Sequence, residues 1–175
     1  MGSIDRLRPL IRTRQTRFYT DEPVAEADLA ALVEVARWSG SSRNSQPWRF
    51  IVLRDVALIR ALAEAGHPQT RSLHTAMAAI AISMPKDDDR GVGYAYDEGR
   101  VAERILIAAS MLGLGAGIAW ILPAVRERAA ELIGLPDERF VRTVMAVGHP
   151  SSESRAPKSA PGEARLPRDE VVEWR

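Results

Sequence analysis

Ser41-Ser42-Arg43-Asn44-Ser45-Gln46-Pro47-Trp48-Arg49-Phe50 separates two apolar runs, and its reading decides how the rest of the chain is laid out. Five neutral hydrogen-bonding side chains (Ser41, Ser42, Asn44, Ser45 and Gln46) mark its first half as a loop. Pro47 fixes its own backbone angle and biases Gln46 toward an extended conformation. Trp48 and Phe50 stand at strand spacing, so both face one side of a strand that continues through Ile51-Val52-Leu53. A stiffened polar loop entering a strand can offer amides and hydroxyls to a flat polar ligand. A plain surface loop with a turn proline is the alternative.

Upstream, Leu29, Leu32, Val33, Val35 and Ala36 predict a helix with one buried face over 25–38. Before it, Ile4, Leu7, Leu10 and Ile11 mark a short helix opening at Ser3-Ile4-Asp5. Downstream, 57–65 reads as an amphipathic helix and 77–84 as a buried strand. Residues 97–113 form a helix that is apolar around most of its circumference, which makes it central and suited to cover by a sheet and a second subunit. Gly113-Leu114-Gly115-Ala116-Gly117 closes it. A strand over 118–122, a helix over 124–135 with Pro123 in its first turn, and a strand over 140–148 complete a single domain of residues 1–150. A glycine-rich run after a helix is the wrong order for a dinucleotide fingerprint, so that fold is rejected. From 151 the composition turns to Ser, Pro, Ala, Lys and Glu, marking 151–175 as an extended arm. Its tip, Val171, Val172 and Trp174, either stays loose or docks on another surface.

The chain has 175 residues, with 24 Lys and Arg against 23 Asp and Glu. A net charge of +1 gives no overall basic field for nucleic acid. Cysteine is absent, which removes disulfides and thiolate metal sites. His67, His74 and His149 are scattered. Asp87-Asp88-Asp89 lacks the glycine turn and closing glutamate of a calcium loop and reads as a solvated loop. No signal peptide and no membrane-spanning run are evident, so the expected setting is cytoplasmic, with no membrane partner. There is no nucleophile elbow and no paired acid, so any chemistry belongs to something bound. Arg12, Arg14 and Arg17 have no acid among them. They read either as a solvated basic turn or as an anion site, since guanidinium forks match oxyanion geometry.

Two stretches carry a resemblance: Arg14-Gln15-Thr16-Arg17-Phe18-Tyr19-Thr20-Asp21-Glu22-Pro23-Val24, and Ala36-Arg37-Trp38-Ser39-Gly40 followed by the loop already quoted and Ile51-Val52. The second resembles the Ser-x-Asn-x-Gln-Pro-Trp loop of the nitroreductase family of FMN-dependent oxidoreductases. Gly113-Leu114-Gly115, Val147-Gly148-His149-Pro150 and Arg165-Leu166-Pro167 agree with it in order. The resemblance implies an α+β sandwich with a central mixed sheet flanked by helices. It also implies an intertwined homodimer with two FMN sites at the subunit interface, and an arm that packs on the partner. The activity it implies is ping-pong transfer of hydride from NADH or NADPH through FMN to a nitroaromatic, a quinone or a similar acceptor.

By the same resemblance Arg14 serves the phosphate and ribityl region, with Thr13 and Gln15 beside it, and Arg17 the pyrimidine side of the ring. Ser41, Ser42 and Asn44 reach the flavin from the other subunit, with Gln46 supporting their loop. Ile118, Ala119 and Trp120 lay backbone near the reactive edge of the ring, and Arg165 binds phosphate. The chain departs from the family at Thr13, at Gln15 and at Glu163. Arg12 is placed as a compensating phosphate contact. Arg71 and Ser72 are candidates for polar contacts in mid-chain. The alternatives are a family offshoot performing dehalogenation or flavin fragmentation, and a flavin-binding protein without catalysis.

Overall fold

Asp55 starts a helix for an elementary reason: its carboxylate accepts the amide protons of Ala57 and Leu58 at 2.8 and 3.3 Å, donors that have no partner inside the helix. Comparable local rules set the other elements in a computed structural model that describes residues 2–87, 89–155 and 165–175. In chain order these are α1 (Ser3–Arg12), α2 (Glu26–Arg37), β1 (Arg49–Leu53), α3 (Val56–Ala65), β2 (Ala78–Pro85), α4 (Gly91–Met111), β3 (Gly115–Trp120), α5 (Arg126–Ile133), β4 (Arg139–Gly148), α6 (Ser152–Arg155) and α7 (Arg168–Val171).

The strands form one sheet in the order β1-β2-β4-β3. Every pairing among the described residues is antiparallel, which corrects the expected mixed sheet. The connections explain this. The chain leaves β1, folds α3 and re-enters at the same end of the sheet as β2; α5 does the same between β3 and β4. A parallel neighbour needs a crossover to the opposite end.

Side-chain alternation then divides the core. Ile80, Ile82, Met84, Met145 and Val147 pack beneath α2 and α4, whereas Ala79, Ala81, Val144 and Ala146 pack beneath α3 and α5. Trp48 and Phe50 share the α2/α4 face, as their spacing predicts, and stack with centroids 6.2 Å apart. The helices on both faces agree with the expected α+β sandwich.

Two boundaries differ from expectation. Helix α4 begins at Gly91, six residues before the predicted start. Gly91 and Gly93 weaken the local helical signal. Packing supplies what propensity lacks, because Tyr94 is buried and its hydroxyl reaches Asp87 at 3.5 Å. Strand β3 begins at Gly115, inside the glycine run expected to be a loop. Here residues 16–19 lie directly on the sheet. The Thr16 amide donates to the Ala116 carbonyl at 2.8 Å. A Cβ at Gly117 would stand 2.1 Å from the Thr16 carbonyl oxygen, and one at Gly148 would stand 2.8 Å from the Tyr19 ring. The Tyr19 hydroxyl donates to the Thr16 carbonyl at 2.9 Å, with the Ala146 carbonyl at 3.3 Å. Burial pushes the Tyr19 phenol pKa well above its usual value, with the charge of Arg17 opposing, so the hydroxyl stays a donor.

Residues 151–154 turn back on the same chain, where the Ser151 amide donates to the Phe18 carbonyl at 3.1 Å. The Ser154 hydroxyl donates to the Phe18 carbonyl at 2.8 Å and accepts the Phe18 amide proton at 3.0 Å.

Gly117→Ala should destabilise the protein by about 1–3 kcal/mol or more, because the contact is with backbone and no rotamer relieves it. Urea unfolding measures this, and an unchanged midpoint would contradict the close approach.

Candidate functional site

Residues 12–19 run from the end of α1 to the open edge of β3. The Thr13 hydroxyl closes α1 by donating to the Pro9 carbonyl at 3.1 Å. The Gln15 side-chain oxygen accepts the Ile118 amide proton at 3.3 Å, capping a donor on the edge strand. This brings half-buried Arg17 beside Ile118, and together with Pro68, Gln69, Arg71 and Ser72 they line a depression of about 280 Å³. The Trp120 amide donates to the Gln69 carbonyl at 3.4 Å, which ties that wall to β3.

Arg71 and Ser72, placed by sequence only as candidates, therefore join Arg17 and Ile118. Ser72 is 2% exposed, and its hydroxyl has no hydrogen-bond partner among the described residues. Buried polar groups are normally paired. Two guanidiniums lining one depression suit a polar, anionic ligand. Ala119 turns its side chain into the α3/α5 core, so it can offer only backbone to a ligand. Arg14 and Gln15 are exposed. Arg12 and Thr13 border a separate depression of about 420 Å³ against Met111 of α4. Arg165 is exposed at the start of the last described segment, and Glu163 and Asp88 lie outside the described residues.

The loop 41–46 is built on strain. It contains the 3-10 turn Ser42–Asn44. Arg43, Asn44 and Gln46 have φ of 53°, 55° and 45°, a region that costs energy for any residue but glycine. Gln46 thus corrects the expectation of an extended residue before Pro47. Hydrogen bonds hold it there: its amide donates to the Ser41 hydroxyl at 2.9 Å, and its side-chain amide to Asn44 Oδ1 at 3.2 Å.

The anchor of the loop was not foreseen. Asp97, buried on α4, accepts the Ser42 amide proton at 3.2 and 3.1 Å through its two oxygens. An acid on the apolar face of a helix needs a partner, and that was the available signal. This loop lines its own depression of about 270 Å³ with Asp89, Arg90, Gly93 and Tyr94.

Within one chain, Gln15, Arg17, Ile118 and Trp120 gather at one place and Ser41, Ser42, Asn44 and Gln46 at another. No depression among those described contains both sets. No described cluster of His, Asp or Glu is arranged to hold a metal ion, and no described helix is long and apolar enough to cross a membrane.

The model of the nitroreductase family matches residues 11–83, which include both the Arg17 segment and the strained loop. A protein of Archaeoglobus fulgidus provisionally named an NADH dehydrogenase/NAD(P)H nitroreductase is 30% identical over 154 residues, spanning 84% of this chain and 86% of the relative. The chain belongs to the nitroreductase family. A second relative, the FMN reductase [NAD(P)H] of Bacillus subtilis, is 27% identical over 177 residues, 90% of this chain and 71% of its own. Among solved nitroreductase-like folds, a provisionally named NADH oxidase from Clostridium acetobutylicum superposes with a TM-score of 0.78 at 26% identity, covering 93% of this chain and 97% of the other. A Bacteroides thetaiotaomicron structure reaches 0.81 at 23% identity, over 99% and 98% of the two chains, a likeness of fold.

Asp97→Ala should cost about 1–3 kcal/mol by leaving the Ser42 amide without its acceptor. It should also release the strained loop, read as faster tryptic cleavage after Arg43. Unchanged stability and unchanged cleavage would contradict the anchoring role.

Proposed function

We propose that this nitroreductase-family chain is an FMN-dependent NAD(P)H oxidoreductase that works as a homodimer. The observation that carries the reading is the depression that Arg17 and Arg71 line together with Ser72 and Ile118 at the edge of β3. A guanidinium pair, a buried hydroxyl and backbone at a sheet edge fit the phosphate-bearing, ring-shaped FMN. When bound, FMN supplies the two-electron carrier that takes hydride from NADH or NADPH and passes it to an acceptor such as a nitroaromatic or a quinone.

The chain's own residues bind, orient and polarise. Arg14 and Arg165 would neutralise the FMN phosphate, and Arg12 and Thr13 would have to reach it from the neighbouring depression. Arg17 would hold the pyrimidine side, where a fixed cation would stabilise negative charge on the reduced ring. Gln15 holds the β3 edge in place, and the backbone of Ile118, Ala119 and Trp120 forms one wall. Ser41, Ser42 and Asn44, braced by Gln46 and Asp97, belong to the other subunit's half of the site.

The separation of the two sets within one chain supports a shared site. So does the unpartnered apolar surface. Ile4 and Ile11 on α1 are 59% and 61% exposed, Met111 is 77% exposed and Trp174 82%. The tip of the 151–175 arm and α1 pack against the partner in this reading. The depression at Arg17 is open, and α4 begins soon after β2, so a broad range of flat acceptors can approach. In this reading the protein works in the cytoplasm, beside its nicotinamide reductant.

Purified protein should be yellow and lose its visible flavin absorbance under anaerobic NADH or NADPH. Arg17→Ala should weaken FMN binding by about 10- to 100-fold, the value of a charge-assisted hydrogen bond. A flavin that stays oxidised with both nicotinamides would overturn the catalytic reading.

A further inference from the structure

We propose that a second site, which binds an oxyanion, lies where β2 ends and β4 begins, in a cavity of about 520 Å³ between the starts of α4 and α5. It shares no lining residue with the depression at Arg17 and goes beyond the flavin reading. Four cations (Lys86, Arg126, Arg139 and Arg142) face two carboxylates, Asp87 and Glu127.

The cations are not equivalent. Arg139 is used by the fold: its Nε donates to the Ser83 hydroxyl at 2.8 Å, and an Nη donates to the carbonyls of Pro47 and Ser83 at 2.8 and 2.6 Å. Arg142 is half-used. Its Nε donates to Glu98 at 2.9 Å, but its Nη2 is buried without a partner among the described residues. Arg126 makes no described ion pair, and its Nε is likewise buried and unpartnered. The guanidinium carbons of Arg126 and Arg142 stand 5.3 and 5.4 Å from the centroid of the same ring, Phe140. Asp87 is already engaged, accepting the Arg90 amide proton at 3.2 Å, with the Tyr94 hydroxyl at 3.5 Å.

Two guanidiniums held against one ring repel one another, and the single buried carboxylate beside them, Glu98, bonds only the Arg142 Nε among the described residues. Burial lowers the Arg126 pKa, the like charge of Arg142 adds to this, and Glu98 opposes it. An oxyanion in the cavity that both arginines line supplies further negative charge, and guanidinium forks match its geometry. Pro123, Ala130 and Phe140 add apolar lining to the same cavity, so the anion is either free or the head of a small aromatic molecule.

Calorimetric titration of FMN-saturated protein at constant ionic strength tests this, with inorganic phosphate in one arm and phenyl phosphate in the other. Saturable binding near one per chain is expected, weakened about tenfold or more in Arg126→Gln, with flavin content unchanged. Tighter binding of phenyl phosphate assigns the site to an aromatic anion, and equal binding to the free ion. If Arg126→Gln does not fold, exposed Lys86→Gln must weaken binding instead. If the protein takes up no FMN, the same titration on the protein as purified decides the matter separately. Absence of saturable binding in both arms, or binding indifferent to the substitutions, overturns the proposal.

Discussion

The close approach of residues 16–19 to the sheet is the constraint on which the rest depends. Thr16 lies on β3 because Gly115 and Gly117 present no side chain, and Tyr19 lies on β4 because Gly148 presents none. The buried Tyr19 hydroxyl locks the segment by donating into it. With that geometry fixed, Gln15 meets the amide of Ile118 and Arg17 meets the depression beside Arg71 and Ser72. Side chains at the glycine positions would lift the segment and carry the arginine away. Packing against backbone thus places a charge.

The opposite device operates in the loop 41–46. There the backbone is strained, and side chains hold it. A buried carboxylate on α4 fixes the Ser42 amide, while Ser41 and Asn44 hold Gln46. Both devices deliver polar groups with little freedom left, which is how a site gains affinity before a ligand arrives. They deliver them to different places on one subunit, and two copies related by a twofold axis can bring such halves together.

Much of this was legible in the sequence where a period was clean. The burial of Leu29, Leu32 and Ala36, the shared face of Trp48 and Phe50, and the buried run of β2 follow from spacing alone. The failures have a common cause: each depends on a contact that spacing and propensity do not show. Gly115 and Gly117 look like a loop until Thr16 is laid on them. Gly91 to Tyr96 looks like a poor helix until Tyr94 is buried. Gln46 should be extended before a proline until Ser41 and Asn44 hold it elsewhere. The antiparallel sheet depends on where α3 and α5 return, which no local pattern encodes. At the candidate site, the arginine and serine positions came from the family resemblance, whereas Asp97 and the orphan hydroxyl of Ser72 needed the fold.

Subunit mixing tests the shared cradle most directly. Arg17→Ala and Asn44→Ala chains are purified separately, each weak in FMN binding, then unfolded together and refolded. A mixed dimer contains one site built from the intact Arg17 of one chain and the intact loop of the other. Recovery of about one tightly bound FMN per mixed dimer is expected from the twofold arrangement. No recovery on mixing, with each chain binding flavin only through its own residues, would contradict it.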